Sequence, residues 1–270
     1  MISAMTAKPN DFETRYALVD LNGTCMMVCK PWRDSLAAVL SGATATYPFK
    51  RAGGRGAVRV FEFDDGRGII RIFRRGGIAR WILTDAFLFG NRPLQELRIH
   101  DHLFQQGFPC PEPLGASWRR DGLLLRGAIA TRLVDGQDLF DCLVPNKSDP
   151  EPTLREAGRV IRRMHDLNVA HPDLHIRNIL VAGDAVYLID FDKASLGAAV
   201  SPRIRASNLL RLRRSFEKHG LPESWFHAVV DGYQSKGFPR WLELMYRYKG
   251  IVSDTFAGRY RQQDHAARKP

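Results

Sequence analysis

Two carboxylates and a carboxamide stand in an order that could move a phosphoryl group: Asp173, Asn178 five residues later, and Asp190 beyond an intervening hairpin. Asp173 and Asn178 belong to the stretch His171-Pro172-Asp173-Leu174-His175-Ile176-Arg177-Asn178. Apolar Ile179-Leu180-Val181, a turn at Gly183-Asp184, and apolar Val186-Tyr187-Leu188-Ile189 follow, and the second run ends on Asp190. Short apolar runs on either side of a Gly-Asp turn predict a β-hairpin with Asn178 at its entry and Asp190 at its exit. Phosphoryl transfer from ATP needs one carboxylate to accept or orient a hydroxyl proton. It also needs a carboxylate and an amide oxygen to hold Mg²⁺ on the phosphates. Turn formation would account for Asp173 and Asn178, and helix capping for Asp190, but neither accounts for the spacing together with the second strand.

The order His-x-Asp-Leu-x-x-x-Asn followed by Asp190-Phe191 resembles the catalytic and metal-binding loops of the protein-kinase-like superfamily. The resemblance implies an α+β, two-lobed fold, with a small antiparallel-sheet N-lobe carrying one helix and a mainly helical C-lobe. It divides the chain into residues 1–134 and 135–270. In that frame Asp173 is the catalytic residue, and Asn178 and Asp190 are the metal ligands.

The elements that must position these residues can be followed along the chain. Residues 1–12 are polar and expected to be disordered. Residues 15–30 alternate as strands do, and Asp34 or Ser35 would cap a short helix through Leu40. Gly53-Gly54-Arg55-Gly56 precedes the strand Val58–Phe63, and such glycines let a backbone approach an anion closely. After a turn at residues 64–68, the strand Ile69–Phe73 carries Arg71 where kinases place the lysine that contacts the nucleotide phosphates. Arginine is always charged and grips phosphate as a fork, so it could serve there. Gly53 to Gly56 would cover the nucleotide.

A helix follows Asn91-Arg92-Pro93 and ends at Gly107. Glu96 is the carboxylate chosen to pair with Arg71, with Asp101 as its competitor. Residues 108–113 are proline-rich and read as a rigid turn, and residues 122–126 and 128–134 as two strand segments leading to an inter-lobe hinge at Asp135-Gly136. A helix from Thr153 to Leu167 leads into the catalytic loop. Ser207-Asn208 would cap another, with Leu209, Leu212 and Phe216 on one face and Arg211, Arg214 and Lys218 elsewhere. That pattern fits either an interfacial helix or a solvated one packed on the lobe. Helices near Ser224–Tyr233 and Arg240–Tyr248, and a polar, basic tail, complete the reading.

Composition is that of a globular protein: 270 residues, 44% hydrophobic and 26% charged. Forty basic residues against 29 acidic ones leave a formal charge of +11, a field that attracts phosphates, nucleic acid or an anionic membrane surface. Cys25, Cys29, Cys110 and Cys142 lack metal-ligand spacing and read as free thiols. No apolar run reaches the length of a membrane span, and a cytoplasmic protein is expected.

Departures from protein kinases narrow the family. Pro172 replaces the arginine of His-Arg-Asp, and Asp192 replaces the glycine of Asp-Phe-Gly. Gly53-Gly54-Arg55-Gly56, Ile70-Arg71-Ile72-Phe73-Arg74-Arg75-Gly76-Gly77, Arg92-Pro93-Leu94-Gln95-Glu96, Pro109-Cys110-Pro111-Glu112-Pro113, the catalytic loop and Asp190-Phe191-Asp192-Lys193-Ala194 together resemble the 3-deoxy-D-manno-octulosonic acid (Kdo) kinases. More broadly they resemble the lipopolysaccharide core heptose kinases. The resemblance runs from about Tyr47 to Ser215.

It implies transfer of the ATP γ-phosphate to the 4-hydroxyl of Kdo on Kdo-lipid A, with ATP and Mg²⁺ as cofactors. It also implies peripheral attachment to the anionic cytoplasmic face of the inner membrane, with no nucleic acid and no obligate protein partner. Arg74, Arg75, Arg80 and Arg92 become candidates for the acceptor's anions. His175 and Arg177 are expected to steady the γ-phosphate or the acceptor. His175 also resembles the Asp-Leu-His of aminoglycoside phosphotransferases, so a heptose or other small-molecule kinase is the alternative enzyme. A pseudokinase-like nucleotide-binding module is the alternative of another class.

Overall fold

A computed structural model describes residues 11–49, 58–73, 91–121, 124–144 and 149–233. Gly53, Gly54, Arg55, Gly56, Arg74, Arg75, Arg80, the helix expected at Arg240–Tyr248 and the tail lie outside the described residues, as does most of the expected disordered stretch 1–12.

Among the described residues, the first half of the chain builds a seven-stranded antiparallel sheet. After a one-turn helix α1 (Asp11–Arg15), strands β1 (Tyr16–Leu21) and β2 (Thr24–Cys29) pair through Asn22-Gly23. Both turn residues have positive φ, 53° and 73°, as a two-residue hairpin turn of this hand requires. Helix α2 (Arg33–Ser41) then lays Leu36, Ala37, Val39 and Leu40 on the sheet. Neither Asp34 nor Ser35 caps it. The helix starts earlier, directly after a 3-10 turn at Lys30–Trp32, which puts both residues inside its first turn, where the Ser35 hydroxyl donates back to the Trp32 carbonyl at 3.1 Å.

Strands β3 (Tyr47–Pro48), β4 (Val58–Phe63), β5 (Gly66–Ile72), β6 (Pro113–Asp121) and β7 (Leu124–Arg132) complete the sheet in the order β1-β2-β6-β7-β5-β4-β3. Residues 124–132 form one strand rather than two segments, because Gly127 stays in register opposite Trp118. A Cβ at Gly127 would lie 2.3 Å from Pro93 Cγ, so that glycine admits the first turn of a helix rather than ending a strand. The proline-rich segment feeds directly into β6, which the sequence reading left unassigned.

That helix, α3 (Arg92–Gln105), starts where Asn91 accepts from the Leu94 amide at 3.2 Å. One face buries Glu96, Leu97, His100 and Leu103. Leu97 joins Met26, Val28, Phe61, Leu114 and Ala130 in the core of this half.

Past residues 133–136 the chain becomes helical. Strand β8 (Gln137–Asp138) leads into α4 (Leu139–Leu143), and α5 (Glu151–Asp166) runs through the second core. Strands β9 (Val169–Ala170), β10 (Ile179–Ala182), β11 (Ala185–Leu188) and β12 (Ser195–Leu196) frame the catalytic loop, with β10 and β11 forming the expected hairpin. Helices α6 (Pro202–Lys218) and α7 (Glu223–Gly232) pack beneath.

Helix α6 begins earlier than Ser207-Asn208. Ser201 caps it at the Ile204 amide, while Asn208 is buried inside it and accepts from the His171 amide at 2.8 Å. No described helix is long and apolar enough to cross a membrane.

Candidate active site

Asp173, Asn178 and Asp190 come together because two bonds tie the catalytic loop to the hairpin it precedes. The Asn178 side chain donates to the Asp173 main-chain carbonyl at 3.1 Å, bracing the loop across its five residues. The Asn178 carbonyl accepts from the Ile189 amide at 3.0 Å, which sets the end of β11 beside the loop. Asp190 then adopts φ 66°, a left-handed conformation uncommon for a residue other than glycine and often found where a site demands it. Phe191 behind it is fully buried, with its ring centroid 5.1 Å from that of His100 and 5.5 Å from that of His171.

The Asp173 carboxylate sits between two cations, 2.8 Å from Lys193 Nζ and 2.8 Å from Arg211 Nη2. Partial burial works to raise its pKa, but the Lys193 ammonium and the Arg211 guanidinium outweigh that and hold it at about 2. Asp173 is therefore ionised throughout the neutral range.

Arg71, on β5, reaches Glu96 Oε1 at 2.6 Å and Asp190 Oδ1 at 3.3 Å. Glu96 is buried, and burial pushes its carboxyl up to about 7 against the pull of Arg71. The other acidic residue considered for this pairing, Asp101, turns to Arg15 and to the Tyr16 hydroxyl.

These residues line a cleft of about 700 Å³. The β4, β5 and β7 side chains Val58, Ile69, Arg71, Ile129 and Thr131 form one wall, and Asp173, His175, Asn178 and Asp190 form another. His175 is half-buried, and burial lowers its pKa. Arg177 also lines the cleft, anchored by Asp138 at 2.8 Å and Asp141 at 3.3 Å and stacked 4.6 Å from the centroid of the Phe140 ring. Arg92 is drawn into an ion pair with Asp192 at 2.5 Å, which ties the start of α3 to the residue after Phe191.

The model of the lipopolysaccharide kinase (Kdo/WaaP) family matches residues 43–233. The chain belongs to this family. Among curated relatives, the 3-deoxy-D-manno-octulosonic acid kinase of Vibrio cholerae serotype O1 is 35% identical over 173 residues, 62% of this chain and 72% of the relative. The enzyme of that name from Photobacterium profundum is 33% identical over 196 residues, 68% of this chain and 81% of the relative.

Two solved structures share the fold. One is WaaP in complex with acyl carrier protein, with TM-score 0.53 and 19% identity, covering 86% of this chain and 95% of that one. The other is the spectinomycin phosphotransferase APH(9)-Ia with ADP and spectinomycin, with TM-score 0.51 and 11% identity, covering 81% and 85%. The two-lobed, α+β, protein-kinase-like architecture is thus that of the kinase family to which the chain belongs.

Several residues that bear on this kinase's site carry little signal in the sequence. Lys193, which holds Asp173, is the exception, since it directly follows Asp190-Phe191-Asp192. The sequence pattern puts Arg211, Arg214 and Lys218 on a solvated or interfacial face, yet all three line the cleft. Ser215, between them, accepts from the Ile176 amide at 3.0 Å and ties α6 to the catalytic loop.

Proposed function

We propose that this kinase transfers the γ-phosphoryl group of ATP to the 4-hydroxyl of a Kdo residue on Kdo-lipid A. The observation that carries this reading is the convergence in one cleft of Asp173, Asn178, Asp190 and the Arg71–Glu96 pair, in a chain of the lipopolysaccharide kinase family. Asp173 orients the acceptor hydroxyl and takes its proton. As the acceptor oxygen bonds to the γ-phosphorus, the bond to the bridging β–γ oxygen breaks and ADP leaves. A carboxylate held at about 2 is a weak base. Its work is therefore mainly orientation, with proton transfer late, as suits a loose transition state in which the nucleophile needs little activation.

Asn178 and Asp190 offer a hard oxygen donor set for Mg²⁺, which typically takes one or two carboxylates and completes its shell with phosphates and water. Among the described residues no group of three or more His, Cys, Asp or Glu forms a metal cluster, and a site of this kind does not need one. When bound, Mg²⁺ neutralises phosphate charge. Arg71, steadied by Glu96, holds the nucleotide phosphates, and Gly53, Gly54, Arg55 and Gly56 cover them. His175 and Arg177 steady the γ-phosphate or the acceptor, and Arg74, Arg75, Arg80 and Arg92 attract its anions. Residues 1–134 act as the nucleotide-covering lobe and 135–270 as the lobe of the catalytic and metal loops. The +11 charge supports a peripheral position on the anionic cytoplasmic face of the inner membrane, since a well-placed basic residue contributes about 1 kcal/mol there.

An acceptor screen with γ-labelled ATP tests the reading. Label is expected in Kdo-lipid A and absent from heptosylated core lacking a free Kdo 4-hydroxyl and from aminoglycosides. Label in an aminoglycoside or on heptose alone would replace the acceptor, and nucleotide binding without turnover would replace the enzyme with a binding module.

A further inference from the structure

Helix α6 has two faces, and the polar one belongs to the cleft. Leu209, Leu212 and Phe216 are buried in the core. Arg211, Arg214, Ser215, Lys218 and His219, at helical spacings of three, four, seven and eight, all line the cleft that holds Asp173. Arg211 touches the Asp173 carboxylate at 2.8 Å, so the basic stripe begins at the catalytic carboxylate itself. From there it runs two helical turns, about 10 Å, to Lys218. The Ser215 hydroxyl, bonded to the Ile176 amide at 3.0 Å, fixes the stripe to the catalytic loop.

This wall is separate from the strands and loops proposed to hold the nucleotide. Arg211, Arg214 and Lys218 stay exposed along this wall, and charges of one sign lining a cleft raise the local concentration of an anion there. An acceptor whose hydroxyl sits at Asp173 has this stripe as one wall of its surroundings.

We propose that Arg214 and Lys218 bind the carboxylate of the acceptor sugar and select an acidic sugar over a neutral one. The proposal rests on the reading of the acceptor as Kdo, a sugar acid. Its carboxyl carbon stands about four bonds, roughly 5 Å, from the 4-hydroxyl oxygen. One helical turn spans about 5.4 Å, so a carboxylate at that separation falls beside Arg214 when the hydroxyl lies at the Arg211 end. Arg214 supplies the fork that a carboxylate accepts, and Lys218 supplies a second positive charge one turn further.

The test compares wild type with Arg214→Gln/Lys218→Gln on Kdo-lipid A and on the same acceptor with its Kdo carboxyl converted to a primary amide. Wild type should lose about 3- to 10-fold in kcat/KM on the amide, the cost of removing a carboxylate that meets two solvent-exposed cations. The double variant should show a similar loss on native Kdo-lipid A, carried by KM for the acceptor, and should no longer distinguish the two acceptors. Its KM for ATP and its thermal melting should match wild type. Equal losses on both acceptors, or discrimination that survives the substitutions, would overturn the assignment. So would discrimination that follows removal of the lipid A phosphates instead of the carboxylate.

If wild type phosphorylates no Kdo acceptor, the functional reading fails separately. Calorimetric titration of free Kdo into the ADP-loaded enzyme then decides about the stripe. Binding by wild type that the double variant loses upholds it, and binding that is equal in both, or absent from wild type, overturns it.

Discussion

One guanidinium nitrogen of Arg71 lies 2.6 Å from Glu96 Oε1 and 3.3 Å from Asp190 Oδ1. A single cation on β5 thus joins the buried helix glutamate to the carboxylate at the end of the catalytic hairpin. Arginine suits the position because its charge is permanent and its fork offers several donors in fixed geometry, where a lysine offers one point charge. Glu96 is the titratable partner: burial raises its carboxyl to about 7, opposed by Arg71.

Glu96→Gln should therefore lower kcat/KM by about 10-fold or more, while Asp101→Asn, whose carboxyl is held by Arg15 and Tyr16, should leave activity near wild type. Protonation neutralises Glu96, so wild-type kcat/KM should fall as pH drops through about 7. The glutamine variant should lack that limb. A pH–rate profile unchanged by Glu96→Gln would assign the limb elsewhere.

Asp173→Ala should lose roughly 10²-fold or more in kcat while folding normally, because a positioned acid–base group contributes about that much. With its carboxyl held at about 2 by Lys193 and Arg211, Asp173 should add no acid limb to the profile near neutral pH. Single-turnover rates at saturating ATP, alongside circular dichroism, check both points, and a near wild-type rate removes Asp173 from the role.

If Asp190 holds Mg²⁺ as proposed, Asp190→Asn should raise the Mg²⁺ concentration needed for half-maximal rate, since a neutral amide replaces a carboxylate of the same shape. It also removes one of the two carboxylates that face Arg71. A Mg²⁺ titration that overlays wild type would make the residue structural.

Stability should fall in mild acid through buried histidines. Burial lowers His100 to about 4 and His165 to about 4, against about 6.5 in the unfolded chain. Neither ring nitrogen of His100 has a well-formed hydrogen bond among the described residues, and the Pro111 main chain beside it only partly offsets burial. A depressed folded-state value means stability is fully present above about pH 6.5 and is lost as pH falls toward 4, by up to about 3 kcal/mol per ring. Urea unfolding at about pH 7 and about pH 4.5 should show His100→Leu losing less than wild type between them. Equal losses would mean that His100 does not take up a proton on unfolding.

The catalytic loop, the hairpin β10–β11 and helix α3 could all be read from the chain, because each is specified by neighbours. Apolar runs either side of Gly183-Asp184 make the hairpin, and Asn91 with Pro93 starts the helix. From the chain, Glu96 is preferred to Asp101 only as the carboxylate nearer the helix start, and Arg71 does pair with it. Sequence neighbours do not fix which face of the helix turns to the sheet. Five residues separate them, about 140° around the helix. Which face turns toward β5 depends on the packing of Leu97 and on the room that Gly127 leaves for Pro93.

Strand β6 is hard to read because Gly115-Ala116-Ser117 and the polar end Arg119-Arg120 carry no apolar alternation, and one of its two partners, β2, lies some ninety residues earlier in the chain. The destination of α6's basic stripe was hidden most completely. Periodicity shows that Arg211, Arg214 and Lys218 share a face, but a face has no address until distant segments close around it. Arg211 meets Asp173 across 38 residues of chain, and only the folded core, with Asn208 on the His171 amide and Ser215 on the Ile176 amide, brings that charge to the carboxylate.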